Sequence, residues 1–273
     1  MEKFEGKTAF VTGGASGIGF GIAKALAARG ARVMIVDINR SALDAAVDVL
    51  GTNAAAFVLD VRDRDGWAAA RVAVEQRFGP VDILVNNAGI GPDGHNLADM
   101  QPESFDRLVG IKLTGTFNGI STFAAGMRDR GEGHIVNTSS MAGLIAMAPL
   151  GAYCASKFAV VGLSEVLRAE MAPHGVGVSV LCPGLVRSNL AETTIAAGSD
   201  RKMTGGTSTA AGIDPMIVGE LVIEAICANR LYIPTHGDYR DLVAKRMDRI
   251  VQAFDTVPVR DIAPAIGAQI ALD

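Results

Sequence analysis

Apolar positions along this chain follow two rhythms. Short runs dominated by apolar residues, several rich in valine and isoleucine, occur at residues 8–11, 32–36, 55–59, 83–86, 135–138 and 177–181. Longer segments of helical character separate them, such as the alanine-rich residues 17–29 and 64–78, which glycine stops close at Gly30 and Gly79. Apolar runs of this length suit strands covered on both faces. Their alternation with helices predicts an α/β fold, a single doubly wound parallel sheet with helices on both faces. No proline- or serine-rich linker and no fixed-period repeat interrupts the series, so residues 1–255 are expected to form one domain, with 256–273 as a C-terminal tail. The least regular stretch, 189–214, mixes glycine with threonine, serine and alanine and is expected to be a loop or lid. Residues 239–254 read as an amphipathic helix, and the apolar tail after them is expected to dock on a neighbouring subunit.

Composition narrows the partners. With 49% apolar and 20% charged residues and a formal net charge of −4, the chain is an ordinary globular protein without a basic cluster, so neither nucleic acid nor an anionic membrane is expected. The first residues lack the apolar core of a signal peptide, and no run of about 18 apolar residues could span a bilayer, so a cytoplasmic location is expected. Cys154, Cys182 and Cys227 are widely spaced and odd in number, and His95, His134, His174 and His236 are scattered. Neither a disulfide framework nor a metal site is expected, and the thiols read as small buried residues.

The first apolar run leads into "TGGASGIG", residues 12–19, and then into a helical segment. A glycine turn between strand and helix lets the main chain approach a pyrophosphate while the helix N-terminus offers free N–H groups. The spacing of Gly13, Gly17 and Gly19 differs from the commoner G-x-G-x-x-G, and a tight structural turn is the plainer alternative. The second run ends at Asp37, whose carboxylate can accept from both hydroxyls of an adenosine ribose and would repel a 2′-phosphate. NAD is therefore favoured over NADP, since Ser16 and Ile38 stand where a phosphate-binding arginine would be expected; Arg40 is nearby, and Asp37 could instead serve as a helix cap.

Chemistry enters at "NTSSMAGLIAMAPLGAYCASK", which holds Ser140, Tyr153 and Lys157. Tyr153 and Lys157 are four apart and share a helix face, where an ammonium would favour the phenolate and lower the tyrosine pKa. An isolated Y-x-x-x-K is as readily a core tyrosine beside a surface lysine. Taken in order, "TGGASGIG", Asp37, "DV" at 60–61, "NNAG" at 86–89, Ser140, Y-x-x-x-K and "PG" at 183–184 resemble the short-chain dehydrogenase/reductase family, in its branch of about 250-residue enzymes, over residues 7–188. The resemblance implies a Rossmann-type fold and hydride exchange with a nicotinamide. It implies Tyr153 as general acid/base, Ser140 as the group that holds the substrate oxygen, and Lys157 as the residue that lowers the tyrosine pKa and grips the nicotinamide ribose. It places Gly13, Ser16, Gly17, Ile18, Gly19, Asp37, Asp60, Val61, Asn87, Tyr153, Lys157, Val186 and Ser188 around the dinucleotide, and it implies a homotetramer or homodimer built partly on the helix of Tyr153, whose Ala155, Ala159 and Gly162 would allow close packing.

One position departs from the family pattern. "IKLTG" places Lys112 where the family carries an asparagine that supports a water-mediated proton relay. Asn118 is no substitute, because six residues turn about 240° around a helix. If Lys112 stays charged and points inward, it is expected to lower the Tyr153 pKa further, and Lys112→Asn is expected to retain or raise activity and move the pH optimum upward; otherwise it snorkels outward. Met141, Leu144, Ile145, Met147 and Leu150 suggest a pocket for a hydrophobic or aromatic secondary alcohol or ketone, with plain core packing as the alternative. "GGASGIGFGIA", "GMRDRGEGHIVNT" and "LYIPTHGDYRD" are similar to bacterial dehydrogenases of lignin-type benzylic alcohols. The other readings are a hydroxysteroid dehydrogenase, an epimerase or dehydratase with the same tyrosine–lysine pair, and a catalytically silent NAD-binding regulatory protein.

Overall fold

The structure, a computed structural model, describes residues 4–199 and 212–258. Seven parallel strands form one Rossmann-type sheet in the order β3-β2-β1-β4-β5-β6-β7. They are β1 (Thr8–Thr12), β2 (Arg32–Asp37), β3 (Ala54–Val58), β4 (Ile83–Asn86), β5 (Gly133–Thr138), β6 (Val176–Cys182) and β7 (Tyr232–Pro234). The helices are α1 (Gly17–Ala27), α2 (Arg40–Leu50), α3 (Arg64–Phe78), α4 (Pro102–Val109), α5 (Gly115–Arg130), α6 (Gly151–Met171), α7 (Leu190–Ala196), α8 (Pro215–Ala228) and α9 (Arg240–Gln252).

Successive strand residues point to opposite faces, and both faces are covered, which is why the strands read as near-continuous apolar runs. Ala9, Val11, Val33, Ile35 and Val85 pack with Ile22 and Leu26 of α1 and Val218 and Val222 of α8. Phe10, Met34, Val36 and Leu84 face the other way, onto Trp67 and Val74 of α3, Phe123 and Met127 of α5 and Leu167 of α6. Phe10, Trp67 and Phe123 form an aromatic knot with ring centroids 5.0–6.3 Å apart. Strand order reverses between β1 and β4, so the crevice beyond their carboxyl ends is the place where this architecture takes ligands.

A polar ladder crosses the second layer. Asn86 and Asn137 are register partners in β4 and β5, and Asn86 Nδ2 donates to Asn137 Oδ1 at 2.9 Å. Asn137 Nδ2 donates to Ser164 Oγ of α6 at 3.1 Å, and that hydroxyl donates to the Val160 carbonyl at 2.7 Å.

Several expectations change. β7 has no counterpart among the sequence runs, because only Ile233 of its three residues is buried. The stretch 189–214 is not all irregular: it contains α7, tied by the Gly91 N–H to Thr194 Oγ1 at 2.6 Å, while residues 200–211 lie outside the described ones. Cys154 and Cys182 are buried, but Cys227 is exposed on α8. The amphipathic helix is present as α9, yet none of its residues is fully buried, and the tail from 259 lies outside the described residues. Among the described residues no helix is long and apolar enough to cross a membrane.

Candidate active site

The glycine turn is shaped by contacts that exclude side chains. Gly13 (φ +62) and Gly17 (φ +52) occupy the left-handed region, and a Cβ on Gly13 would lie 2.9 Å from Ala88 Cα. A Cβ on Gly19 would collide with the Gly13 carbonyl oxygen, so α1 starts against the turn itself. Ser16 stands at the N-cap with an exposed side chain that makes no capping bond, and the first turn of α1 carries no acid, which leaves its N–H groups open to an anion. Ile18, half-buried, packs against the first layer of the core. This cradle fits a dinucleotide phosphate. At the end of β2, Asp37 accepts from Asn39 N–H at 3.1 Å, and Arg40 is taken up by Asp44 at 3.2 Å.

Neighbouring candidates close the crevice. Asn87 Nδ2 donates to the Thr12 carbonyl at 3.1 Å, and Thr138 Oγ1 reaches Asn87 Oδ1 at 3.5 Å. Val61 is buried, and its carbonyl accepts from Trp67 Nε1 and Asn118 Nδ2, both at 2.9 Å. Asp60 is held by Arg62 at 2.6 Å, and this bond keeps its carboxyl below the usual range. Val186 bridges to Ile213, and Ser188 lies beside Gly17, where a Cβ on the glycine would sit 3.1 Å from its own.

Ser140, Tyr153 and Lys157 come together past the carboxyl ends of β5 and β6. Ser140 Oγ caps a short turn at 141–143, accepting from Ala142 N–H at 3.1 Å. Lys157 is buried, and its Nζ donates to the Thr138 carbonyl at 2.8 Å and lies 5.8 Å from the Tyr153 ring centre. Burial pushes Lys157 down to about 8, partly opposed by Cys182 nearby. The expected lowering of the Tyr153 pKa is not found in the chain alone. Burial raises it, and a hydrogen bond with Ser140 opposes that only in part.

Lys112 points inward. It sits on a π-helical turn, Gly110–Thr114, inserted between α4 and α5, a kind of turn frequent at functional sites. Its Nζ lies 4.3 Å from the centre of the Tyr153 ring, and a Cβ on Gly89 would stand 3.3 Å from it. The condition that Lys112 stays charged is not favoured: burial first, and the Lys157 charge second, push Lys112 well below the usual lysine range. Asn118 faces away, as its spacing requires, bonded to the Val61 carbonyl and accepting from Arg64 Nε at 3.2 Å.

The apolar candidates divide. Met141 is a core residue packed with Val161, Val180 and Cys182, whereas Ile145 is buried, Leu144 and Leu150 are half-buried and Met147 is exposed. Three supporting residues escaped sequence reasoning. Thr12 Oγ1 accepts from the N–H groups of Asn87 and Ala88 at 2.8 and 2.9 Å, joining the glycine turn to the "NNAG" loop. Ser139 Oγ donates to the Lys157 carbonyl at 2.7 Å. Thr235 Oγ1 accepts from Gly184 N–H at 3.0 Å, so "LYIPTHGDYRD" braces the "PG" turn. All three lie inside stretches singled out in the sequence, but nothing there marked their hydroxyls.

Comparison with known proteins agrees with this arrangement. The sequence model of the family described as short chain dehydrogenase matches residues 7–197. The chain is 34% identical to the C alpha-dehydrogenase of Sphingobium sp. strain SYK-6, over 93% of this chain and 88% of that protein. A short chain dehydrogenase/reductase from Burkholderia phymatum, solved in complex with NAD, superposes with a TM-score of 0.84 at 32% identity, covering 95% of this chain and all of that one (100%). The apo form of LigO from Sphingobium sp. strain SYK-6 gives 0.82 at 33% identity, covering 94% and 93%.

Proposed function

Because the chain belongs to the short chain dehydrogenase family, we propose that it is an NAD-dependent alcohol dehydrogenase or ketone reductase, with Tyr153 as general acid/base and a hydrophobic or aromatic secondary alcohol or ketone as substrate. One observation carries the reading: Ser140, Tyr153 and Lys157 converge beside the Gly13–Gly19 cradle at the switch of strand order. The bound dinucleotide supplies the hydride acceptor or donor. The chain's own groups do the rest.

The open N–H groups of α1 and the bare turn hold phosphate, and Asp37 favours a free ribose 2′-hydroxyl, which supports NAD. The Burkholderia relative, solved in complex with NAD, supports the same choice. Burial keeps the Tyr153 phenol protonated, which equips it to donate to a ketone oxygen. To take a proton from an alcohol it needs a cation against the phenolate, and Lys157, charged below about pH 8, is that cation. Ser140 fixes the substrate oxygen against the phenol. Leu144, Ile145 and Leu150 offer apolar surface near it, the C alpha-dehydrogenase relative supports dehydrogenation, and the resemblance to dehydrogenases of lignin-type benzylic alcohols supports an aryl alcohol. On α6, Ala155 and Gly162 are exposed, a flat strip suited to a second copy of the chain.

The experiment is a panel of aromatic, steroidal and aliphatic secondary alcohols with NAD or NADP, followed by nicotinamide reduction. The reading expects aromatic alcohols with NAD to react fastest. Reaction with NADP alone, or with no secondary alcohol, overturns it.

A further inference from the structure

We propose that Lys112 is a third titrating member of the acid/base centre: its amine, laid across the face of the Tyr153 ring beside Lys157, receives the proton released by alcohol oxidation before solvent does. This rests on the reading of Tyr153 as the acid/base.

The geometry sets Lys112 apart from a structural lysine. Its side chain is 3% exposed, its Nζ lies over an aromatic face at 4.3 Å, and among the described residues neither Lys112 nor Lys157 has a carboxylate partner. Two buried amines without a counter-ion cannot both stay charged, so one rests as the free base. Lys157 donates to the Thr138 carbonyl, a bond that favours its ammonium, while Lys112 has only the ring, whose attraction for a cation is modest against full burial. The direction of its shift agrees. Lys112 is therefore the amine with a lone pair available.

The groups around it are few. Tyr153 and Lys157 face it from α6, and the loop after β4 brings Asn87 and Gly89, which do not titrate. On α4, Arg107 is turned toward Asp93 at 3.7 Å. Arg62, against Gly110, is paired with Asp60, and Cys182 on β6 acts through Lys157.

The proton count closes. Oxidation of a secondary alcohol breaks one C–H bond, whose electron pair leaves as hydride to the dinucleotide, and one O–H bond, whose proton passes to the Tyr153 phenolate. That proton must leave before the next turnover. The lone pair of Lys112, held against the Tyr153 ring, binds it as an ammonium, and loss to solvent restores the free base. The π-helical turn is the device that presents the long amine from a helix where the family pattern has the shorter asparagine.

The test follows lysine side-chain 13C resonances of the cofactor-free full-length chain through a pH titration. The Lys112 signal is identified by its loss in Lys112→Met. The proposal expects a midpoint below the usual lysine value, which rises when the neighbouring charge is removed in Lys157→Met. It also expects Lys112→Met to lower oxidation turnover about tenfold with an altered pH profile, and Lys112→Asn to recover most of the rate. An ordinary midpoint, a midpoint indifferent to Lys157→Met, or an unaltered pH profile in Lys112→Met overturns it. Full activity in Tyr153→Phe would instead overturn the reading of the tyrosine, and leaves the Lys112 titration to be judged by its own midpoint.

Discussion

The two sides of the sheet switch build their parts of the crevice from different materials. On the β1–β3 side the atoms that the proposed function uses are main-chain N–H groups of a turn whose Gly13, Gly17 and Gly19 carry no side chain. On the β4–β6 side the proposal uses side chains, Ser140, Tyr153, Lys157 and Lys112, two of them buried amines with no carboxylate partner among the described residues. A site made of backbone is fixed by spacing, and its properties follow from the fold. A site made of buried ionisable groups takes its properties from what surrounds it, and the same residues change behaviour with their neighbours.

The sharpest break between the two sides is Tyr153→Phe. It leaves the cradle intact and removes the proton-transfer hydroxyl, so steady-state turnover falls roughly 10²–10⁴-fold while NAD binding, measured by calorimetry, is retained.

Next in size is a pH effect confined to the side-chain half. Lys157 titrates at about 8 in the folded chain against an ordinary 10.5. Between those values the unfolded chain holds a proton that the folded chain has lost, so this group makes stability rise with pH from about 8 to 10.5. Denaturant unfolding across that window should show a steeper rise in the wild type than in Lys157→Met, where Lys112, also lowered, still contributes. Parallel curves for the two proteins would remove the buried ammonium from the account.

The backbone half answers to a single methyl group. Gly19→Ala drives a Cβ into the Gly13 carbonyl, so it should destabilise the fold by about 1–3 kcal/mol in denaturant melts and weaken NAD about tenfold or more. Gly162→Ala is the control and the smallest effect. Nothing lies within 4 Å of its Cβ position on the exposed face of α6, and the change should stabilise by about 0.5–1 kcal/mol. A loss of stability there, accompanied by a smaller particle in sedimentation, would show a second copy packed on that face.

How far each half could be read from sequence follows the same division. Strands of the sheet centre were legible to within one or two residues, because burial on both faces imposes an unbroken apolar run. β7 was not, because a three-residue edge strand with one buried side chain leaves no such run. The glycine turn was legible from its spacing together with the strand before it and the helix after it. Ser140, Tyr153 and Lys157 could be picked out by spacing, yet the direction of the Tyr153 pKa could not, since it depends on burial by segments far along the chain. Lys112 stood out as a departure. The downward shift of its pKa comes from burial first and from Lys157, 45 positions away, second, and spacing reports neither. Thr12 and Thr235 were missed because a hydroxyl that accepts from distant N–H groups has no local pattern.

The amide ladder from Asn86 through Asn137 to Ser164 bears on how accurately the tyrosine is delivered. A slip of one residue between β4 and β5 would break the Asn86–Asn137 pairing and strand buried polar groups at about 1–3 kcal/mol apiece, so the ladder favours the native register. Since its last rung is on α6, seven residues beyond Lys157, the ladder also gauges that helix along its axis. Shortening a rung, as in Asn137→Ala, would therefore detune proton transfer from a distance, a route by which variants remote from the crevice could trim its rate.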